Sequence, residues 1–194
     1  MSPALTKPML RAAAAARRDA LTVAERAIAS AFIARNVEAV LRETRPQSIG
    51  VYRAYDSEAD TMGIMAAAEA DGMRVALPAM VDPDLVHFRS YRSGDPLVPD
   101  ALAILAPPDV TPVIDPELLI VPVTAFDRSG ARLGKGRGVY DRAIAAARAR
   151  GVRPPLVGIA FSVQESPAIP VEPHDIRLDW IVTETETLRF ARGR

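Results

Sequence analysis

The sequence predicts an α/β protein: one domain over residues 1–194, with helices on both faces of a mainly parallel central sheet. Three observations lead there. Strand-like and helix-like segments alternate along most of the chain. The run Leu118-Leu-Ile-Val-Pro-Val123 has the near-continuous apolar character of a strand covered on both sides. Finally, 194 residues at 49% hydrophobic and 25% charged is ordinary globular composition, with enough chain for one substantial core.

Taken in order, the N-terminal segment of about 5–43 is helical, because MLRAAAAARRDAL is dense in strong helix formers. Thr22-Val-Ala-Glu25 is a capping box, which places a boundary between two helices there. A short buried strand at 48–52, a helix over about 61–71 and a strand at 74–77 make a β-α-β unit. Residues 78–116 are rich in Pro and Asp, and the alternating stretch 85–91 predicts an antiparallel strand or hairpin arm. After the core strand come a Gly-rich loop, a helix over about 140–150 and strands at 156–160 and 179–183. Phe126 and Trp180 are expected in the core. In such Rossmann-like sheets, ligands sit at the carboxyl ends of the strands.

Composition narrows the chemistry. Lys plus Arg and Asp plus Glu both number 24, so no global field draws the chain to nucleic acid or an anionic membrane. Zero Cys excludes disulfides, thiolate zinc sites and a Cys nucleophile, and fits a cytoplasmic location. There is no apolar run of the roughly 18 residues needed to span a bilayer, and helix signals explain the basic, Ala-rich start better than a transit peptide does. The basic cluster Arg128, Arg132, Lys135, Arg137 and Arg142 lacks the interleaved aromatics of a nucleic-acid surface.

The loop itself, GARLGKGRGVYDR from Gly130 to Arg142, follows neither common phosphate-loop pattern. Gly136 stands where a Walker loop needs Ser or Thr, and the spacing is G-x-G-x-G rather than G-x-G-x-x-G. Its glycines permit close backbone approach, Arg132, Lys135 and Arg137 supply charge, and a helix start follows. The residues alone leave two readings open: a phosphate site or a solvated basic turn.

The segment LLIVPVTAFDRSGARLGKGRGVYDR resembles the signature of the 5-formyltetrahydrofolate cyclo-ligase (methenyltetrahydrofolate synthetase) family, matching at Pro122, Phe126, Asp127, Gly130, Arg132, Leu133, Gly134, Gly136, Gly138, Tyr140, Asp141 and Arg142. Further matches are Lys7 with Leu10 and Arg11, IGVYRAYDSEADT with Glu58 and Thr61, Phe161 with Gln164, PVEPHD ending at Asp175, and LDWIVTE ending at Glu184. The resemblance implies a single domain resembling the NagB/RpiA/CoA-transferase-like fold. It also implies ATP-dependent cyclisation of 5-formyltetrahydrofolate to 5,10-methenyltetrahydrofolate, with magnesium. The chain is expected to act as a cytoplasmic monomer on these small molecules, without nucleic acid or membrane.

By the same resemblance Lys135 and Arg137 are the expected catalytic cations, neutralising charge on the transferring phosphoryl group. The nucleotide is expected on Lys7, Arg11, Arg132, Leu133, Gly134, Lys135, Gly136, Arg137, Gly138, Val139 and Tyr140. Glu58 would read the pterin, with Arg53 and Tyr140 beside it, and Asp141 and Asp175 would be magnesium-linked. His174 is expected to orient or pack. Two positions depart from the family pattern: Val139 replaces the first aromatic of a Tyr-Tyr pair, and Ala106 stands where an acid often precedes a proline. A non-catalytic ATP- or folate-binding regulator of the same fold is the alternative.

Overall fold

The computed structural model describes residues 5–82, 85–136, 138–173 and 175–191. Its elements run α1 (Lys7–Asp19), α2 (Val23–Thr44), β1 (Ser48–Val51), α3 (Met62–Ala70), β2 (Arg74–Met80), β3 (Val86–Tyr91), β4 (Val98–Pro99) and β5 (Leu105–Ala106). The second half adds β6 (Leu118–Pro122), β7 (Ala125–Phe126), β8 (Arg132–Leu133), α4 (Val139–Ala149), β9 (Leu156–Ile159), a short 3-10 turn (Ser162–Gln164), β10 (Trp180–Val182) and β11 (Thr187–Arg189).

The capping box forms as expected. Thr22 Oγ1 accepts from the Glu25 amide at 3.2 Å, and the Glu25 carboxylate accepts from the Thr22 amide at 2.7 Å. These bonds satisfy two amides that a helix start leaves without partners, and they separate α1 from α2.

Seven strands form the main sheet in the order β11-β10-β9-β6-β1-β2-β3. Pairing is parallel from β10 through β2, and the two edge strands, β3 and β11, run antiparallel. Period-2 alternation sorts the strand side chains onto two faces. Ile49, Val51, Ile120, Val157 and Ile159 pack with Ile33, Val37 and Leu41 of α2 and with Ile64 and Met65 of α3. Leu119, Val121, Leu156 and Ile181 pack with Ile144 of α4 on the opposite face. Phe126 and Trp180 are buried, as expected.

On the α4 face two strand positions leave no room for a side chain, Gly50, where a Cβ would lie 2.6 Å from Leu119 Cδ2, and Gly158. A Cβ on Gly158 would lie 2.5 Å from Leu178 Cδ1 and 2.9 Å from Val123 Cγ2. Gly158→Ala is therefore expected to cost about 1–3 kcal/mol through overpacking, read as a lower urea midpoint at unchanged slope. A wild-type midpoint would mean the neighbours give way freely.

Several elements differ from the sequence expectation. The strand expected at 74–77 continues to Met80, past the last β1–β2 pair at Gly50 and Ala76, so Pro78 removes no ladder bond to β1. Helix α4 begins one residue earlier than expected, at Val139. The strands β4, β5, β7, β8 and β11 are additional; at two or three residues each, they carry no readable period. The N-terminal helices also have separate roles. While α2 covers the sheet, α1 packs through Leu10 and Ala14 onto Ala125, Ala131, Leu133 and Ile169, over the β7–β8 hairpin.

The sheet order creates a crevice. From β1 the chain crosses through α3 to β2, while from the adjacent β6 it crosses through α4 on the other face to β9. The loops leaving β1 and β6 diverge at their carboxyl ends, the switch point at which open α/β sheets bind ligands.

Candidate active site

The loop leaving β1 is held rigidly. Tyr52, buried, donates its hydroxyl to the Ala59 carbonyl at 3.0 Å, and Thr61 Oγ1 donates back to the Tyr52 carbonyl at 2.7 Å. Within the turn, the Tyr55 amide donates to Glu58 Oε2 at 3.0 Å and the Glu58 amide donates to the Tyr55 carbonyl at 3.3 Å. The Glu58 side chain is only 10% exposed, so its carboxylate is a fixed, largely desolvated acceptor. Arg53 is exposed in the same loop.

The exit of β6 is anchored by two motif residues whose role is architectural. Asp127, buried, accepts through Oδ1 from the Ser129 amide at 2.8 Å, the Ser129 hydroxyl at 2.7 Å and the Ala131 amide at 3.2 Å. Its Oδ2 accepts from the Ile169 amide at 2.8 Å, which ties the hairpin to a distant segment. Gln164, also buried, donates through Nε2 to the Val123 and Thr124 carbonyls at 2.7 and 2.9 Å.

The Gly-rich loop then lies between α1 and the crevice. Arg11 Nε donates to the Gly134 carbonyl at 2.9 Å. Gly136 has φ +95°, and a Cβ there would sit 3.7 Å from the Arg11 guanidinium carbon; Gly138, at φ +64°, forms the left-handed entry to α4. Leu133 lies in the buried cluster beneath α1, and its carbonyl accepts from the Thr124 amide at 2.7 Å, so it shapes the loop.

Lys135 spans the crevice. Its Nζ lies 3.0 Å from Glu58 Oε1 and 4.9 Å from the centre of the Tyr55 ring. Arg132, with a side chain 4% exposed, donates through Nη2 to Asp141 Oδ1 at 2.7 Å, and its buried Nε has no protein partner. Lys7 Nζ meets Asp175 Oδ2 at 2.7 Å and Glu172 Oε1 at 3.1 Å. Burial works to lower the Lys7 pKa, but the hydrogen bonds that its ammonium donates to these two carboxylates outweigh it and hold the ammonium above its ordinary range. Tyr140, partly buried in the first turn of α4, has its phenol pushed up by burial and then by the nearby Glu58 charge. Val139 beside it is also partly buried.

The structure thus brings together Lys7, Arg11, Arg132, Gly134, Lys135, Gly136, Gly138, Tyr140, Asp141, Asp175 and Glu58 from four separate parts of the sequence. Arg137 and His174 lie outside the described residues. Among the described residues no group of three or more His, Asp or Glu side chains forms a metal cage. Asp141 and Asp175 are paired with Arg132 and Lys7 respectively; carboxylate oxygens of this kind are the ligand type that a hard cation takes alongside phosphate and water oxygens. Sequence reasoning missed Tyr55, although a solitary aromatic in a polar turn three residues before Glu58 was a visible signal. It also treated Asp127 only as part of a motif.

The chain can now be set beside known proteins. The family model described as the 5-formyltetrahydrofolate cyclo-ligase family matches residues 4–184. The 5-formyltetrahydrofolate cyclo-ligase of Escherichia coli K12 is 33% identical over 145 residues, covering 72% of this chain and 79% of that one. That of Mycolicibacterium smegmatis is 29% identical over 148 residues, covering 71% and 73%. The solved structure of Aquifex aeolicus 5,10-methenyltetrahydrofolate synthetase aligns with a TM-score of 0.81 at 26% identity, over 98% of this chain and 95% of that one. The Mycoplasma pneumoniae synthetase, at 20% identity and a TM-score of 0.75 over 93% and 99%, shares the fold. The mostly parallel sheet, the crevice at its switch point and a family match running from before α1 to the end of β10 agree: this chain belongs to the 5-formyltetrahydrofolate cyclo-ligase family.

Proposed function

We propose that the protein catalyses ATP-dependent cyclisation of 5-formyltetrahydrofolate to 5,10-methenyltetrahydrofolate, releasing ADP and phosphate. The observation that carries this reading is the Lys135–Glu58 contact. It joins a Gly-rich cationic loop suited to phosphates to a fixed carboxylate suited to a heterocycle edge, across the sheet's switch point.

A formamide oxygen leaves poorly, so the formyl oxygen first attacks the γ-phosphorus and ADP departs. N10 adds to the activated formyl carbon and loses its proton, and phosphate leaves with the former formyl oxygen. In such transfers the protein supplies position and charge neutralisation. Lys135, together with Arg137, neutralises the transferring phosphoryl group, and amides of the Gly134–Gly138 segment hold the other phosphates. Lys7 and Arg11, four residues apart on one face of α1, clamp from the opposite wall. Glu58 accepts from the N–H edge of the pterin, with Arg53 and Tyr140 bordering it. Asp141 and Asp175 would hold magnesium, which supplies neutralisation of phosphate charge when bound.

Action as a monomer is part of this reading. Among the described residues no helix is long and apolar enough to cross a membrane, and a cytoplasmic location remains our reading.

Incubating the protein with 5-formyltetrahydrofolate, magnesium and ATP is expected to produce the methenyl absorbance only when ATP is present. A folded protein that binds ATP and forms no product would instead be a regulator of the same fold. Asp175→Asn is expected to raise the magnesium concentration for half-maximal rate roughly 10-fold or more. An unchanged titration would leave Asp175 as the structural partner of Lys7.

A further inference from the structure

We infer that Tyr55 is the aromatic face on which the pterin ring lies and a specificity-determining residue of this enzyme; the inference rests on the activity proposed above. Tyr55 is 62% exposed, although its backbone is fixed by the Glu58 turn bonds. The turn thus places the ring near a largely desolvated carboxylate, with its surface exposed at the crevice. Lys135 shows what this pair recognises. One ammonium both meets Glu58 at 3.0 Å and sits 4.9 Å from the Tyr55 ring centre.

A group that fills the same place must donate to the carboxylate and lie against the ring. A pterin does both, with its N–H edge and its flat face. The Lys135 side chain is 49% exposed on a loop flanked by Gly134 and Gly136, so it is free to swing to phosphate and leave both partners open. Nearby, Tyr140 is partly buried and Val139 has no ring, which leaves Tyr55 as the open aromatic surface at this part of the crevice.

The test is calorimetric binding of 5-formyltetrahydrofolate without ATP, with KM for each substrate, for Tyr55→Phe, Tyr55→Leu and Tyr55→Ala. The exposed side chain makes each variant compatible with folding. Loss of the ring in Tyr55→Ala is expected to weaken folate binding and raise its KM about 10-fold or more, with the KM for ATP within about 2-fold of wild type. Tyr55→Phe should match wild type, and Tyr55→Leu should fall between. The Tyr55→Ala effect should persist in a Lys135→Met background. Unchanged folate binding, a loss falling on ATP, or an effect that vanishes with Lys135→Met would overturn the proposal, since the ring would then serve the nucleotide or merely seat the lysine. Wild-type protein that binds the folate without forming product would remove the proposed activity and leave the Tyr55 titrations decisive. Wild-type protein that binds no folate would remove both.

Discussion

Replacing Lys135 by Ala is expected to lower kcat by roughly 10²- to 10³-fold, the scale of losing one preorganised group that stabilises transition-state charge. The protein should stay folded, with a modestly lower unfolding midpoint. Lys135 is half-exposed, but Glu58 is only 10% exposed, so removing the ammonium leaves a largely desolvated carboxylate with the Tyr55 amide as its donor. The two Michaelis constants should separate. KM for ATP should rise, whereas KM for the folate should stay level or fall, because removing the lysine vacates the carboxylate. Lys135→Arg should recover part of the rate, since it restores charge on a different geometry. Stopped-assay kinetics on the folded variant would check this. A kcat within a few-fold of wild type would take Lys135 out of the phosphoryl site.

Asp127→Ala should act in the opposite sense, destabilising first and reducing activity as a consequence. One buried carboxylate accepts from the Ser129, Ala131 and Ile169 amides and the Ser129 hydroxyl. Truncation leaves the buried Ala131 and Ile169 amides without this acceptor, at an expected cost of about 3 kcal/mol. The loss should appear as a lower urea midpoint. Because these bonds fix the hairpin that carries Arg132 and leads into the Gly-rich loop, KM for ATP should rise in the fraction that stays folded. Asp127→Asn keeps the volume and one acceptor oxygen, and should fall between Ala and wild type. A midpoint close to wild type would mean that water replaces the carboxylate and that the hairpin does not depend on it.

Much of this architecture could be read along the chain. The capping box at Thr22 and Glu25 works within four residues, and the apolar run at 118–123 became the central strand β6, because both signals are local. The Gly-rich loop was equally visible, but not its purpose: the same residues suited a phosphate site or a solvated turn. The resemblance to the cyclo-ligase family narrowed that choice, and the family match upheld the resemblance.

Less legible were features made by short or distant contacts. The two-residue strands of the β7–β8 hairpin carry no hydrophobic period, so nothing along the chain signalled that α1 packs over that hairpin. Tyr55 was visible as an aromatic in a polar turn, but its place at the crevice shows only when Lys135 is seen against its ring.

The chain alone carried the main helices and core strands, the Thr22 cap and the residue types available for phosphate and pterin chemistry. That β1 lies next to β6, that Glu58 faces Lys135, and that Lys7 at one end of the chain meets Asp175 near the other came from the folded arrangement. The difference is one of range. Helix caps and strand periodicity are set by neighbours a few residues apart, whereas strand order and the crevice come from burying two sheet faces at once. The packing of α2, α3 and α4 against those faces brings the distant charges together.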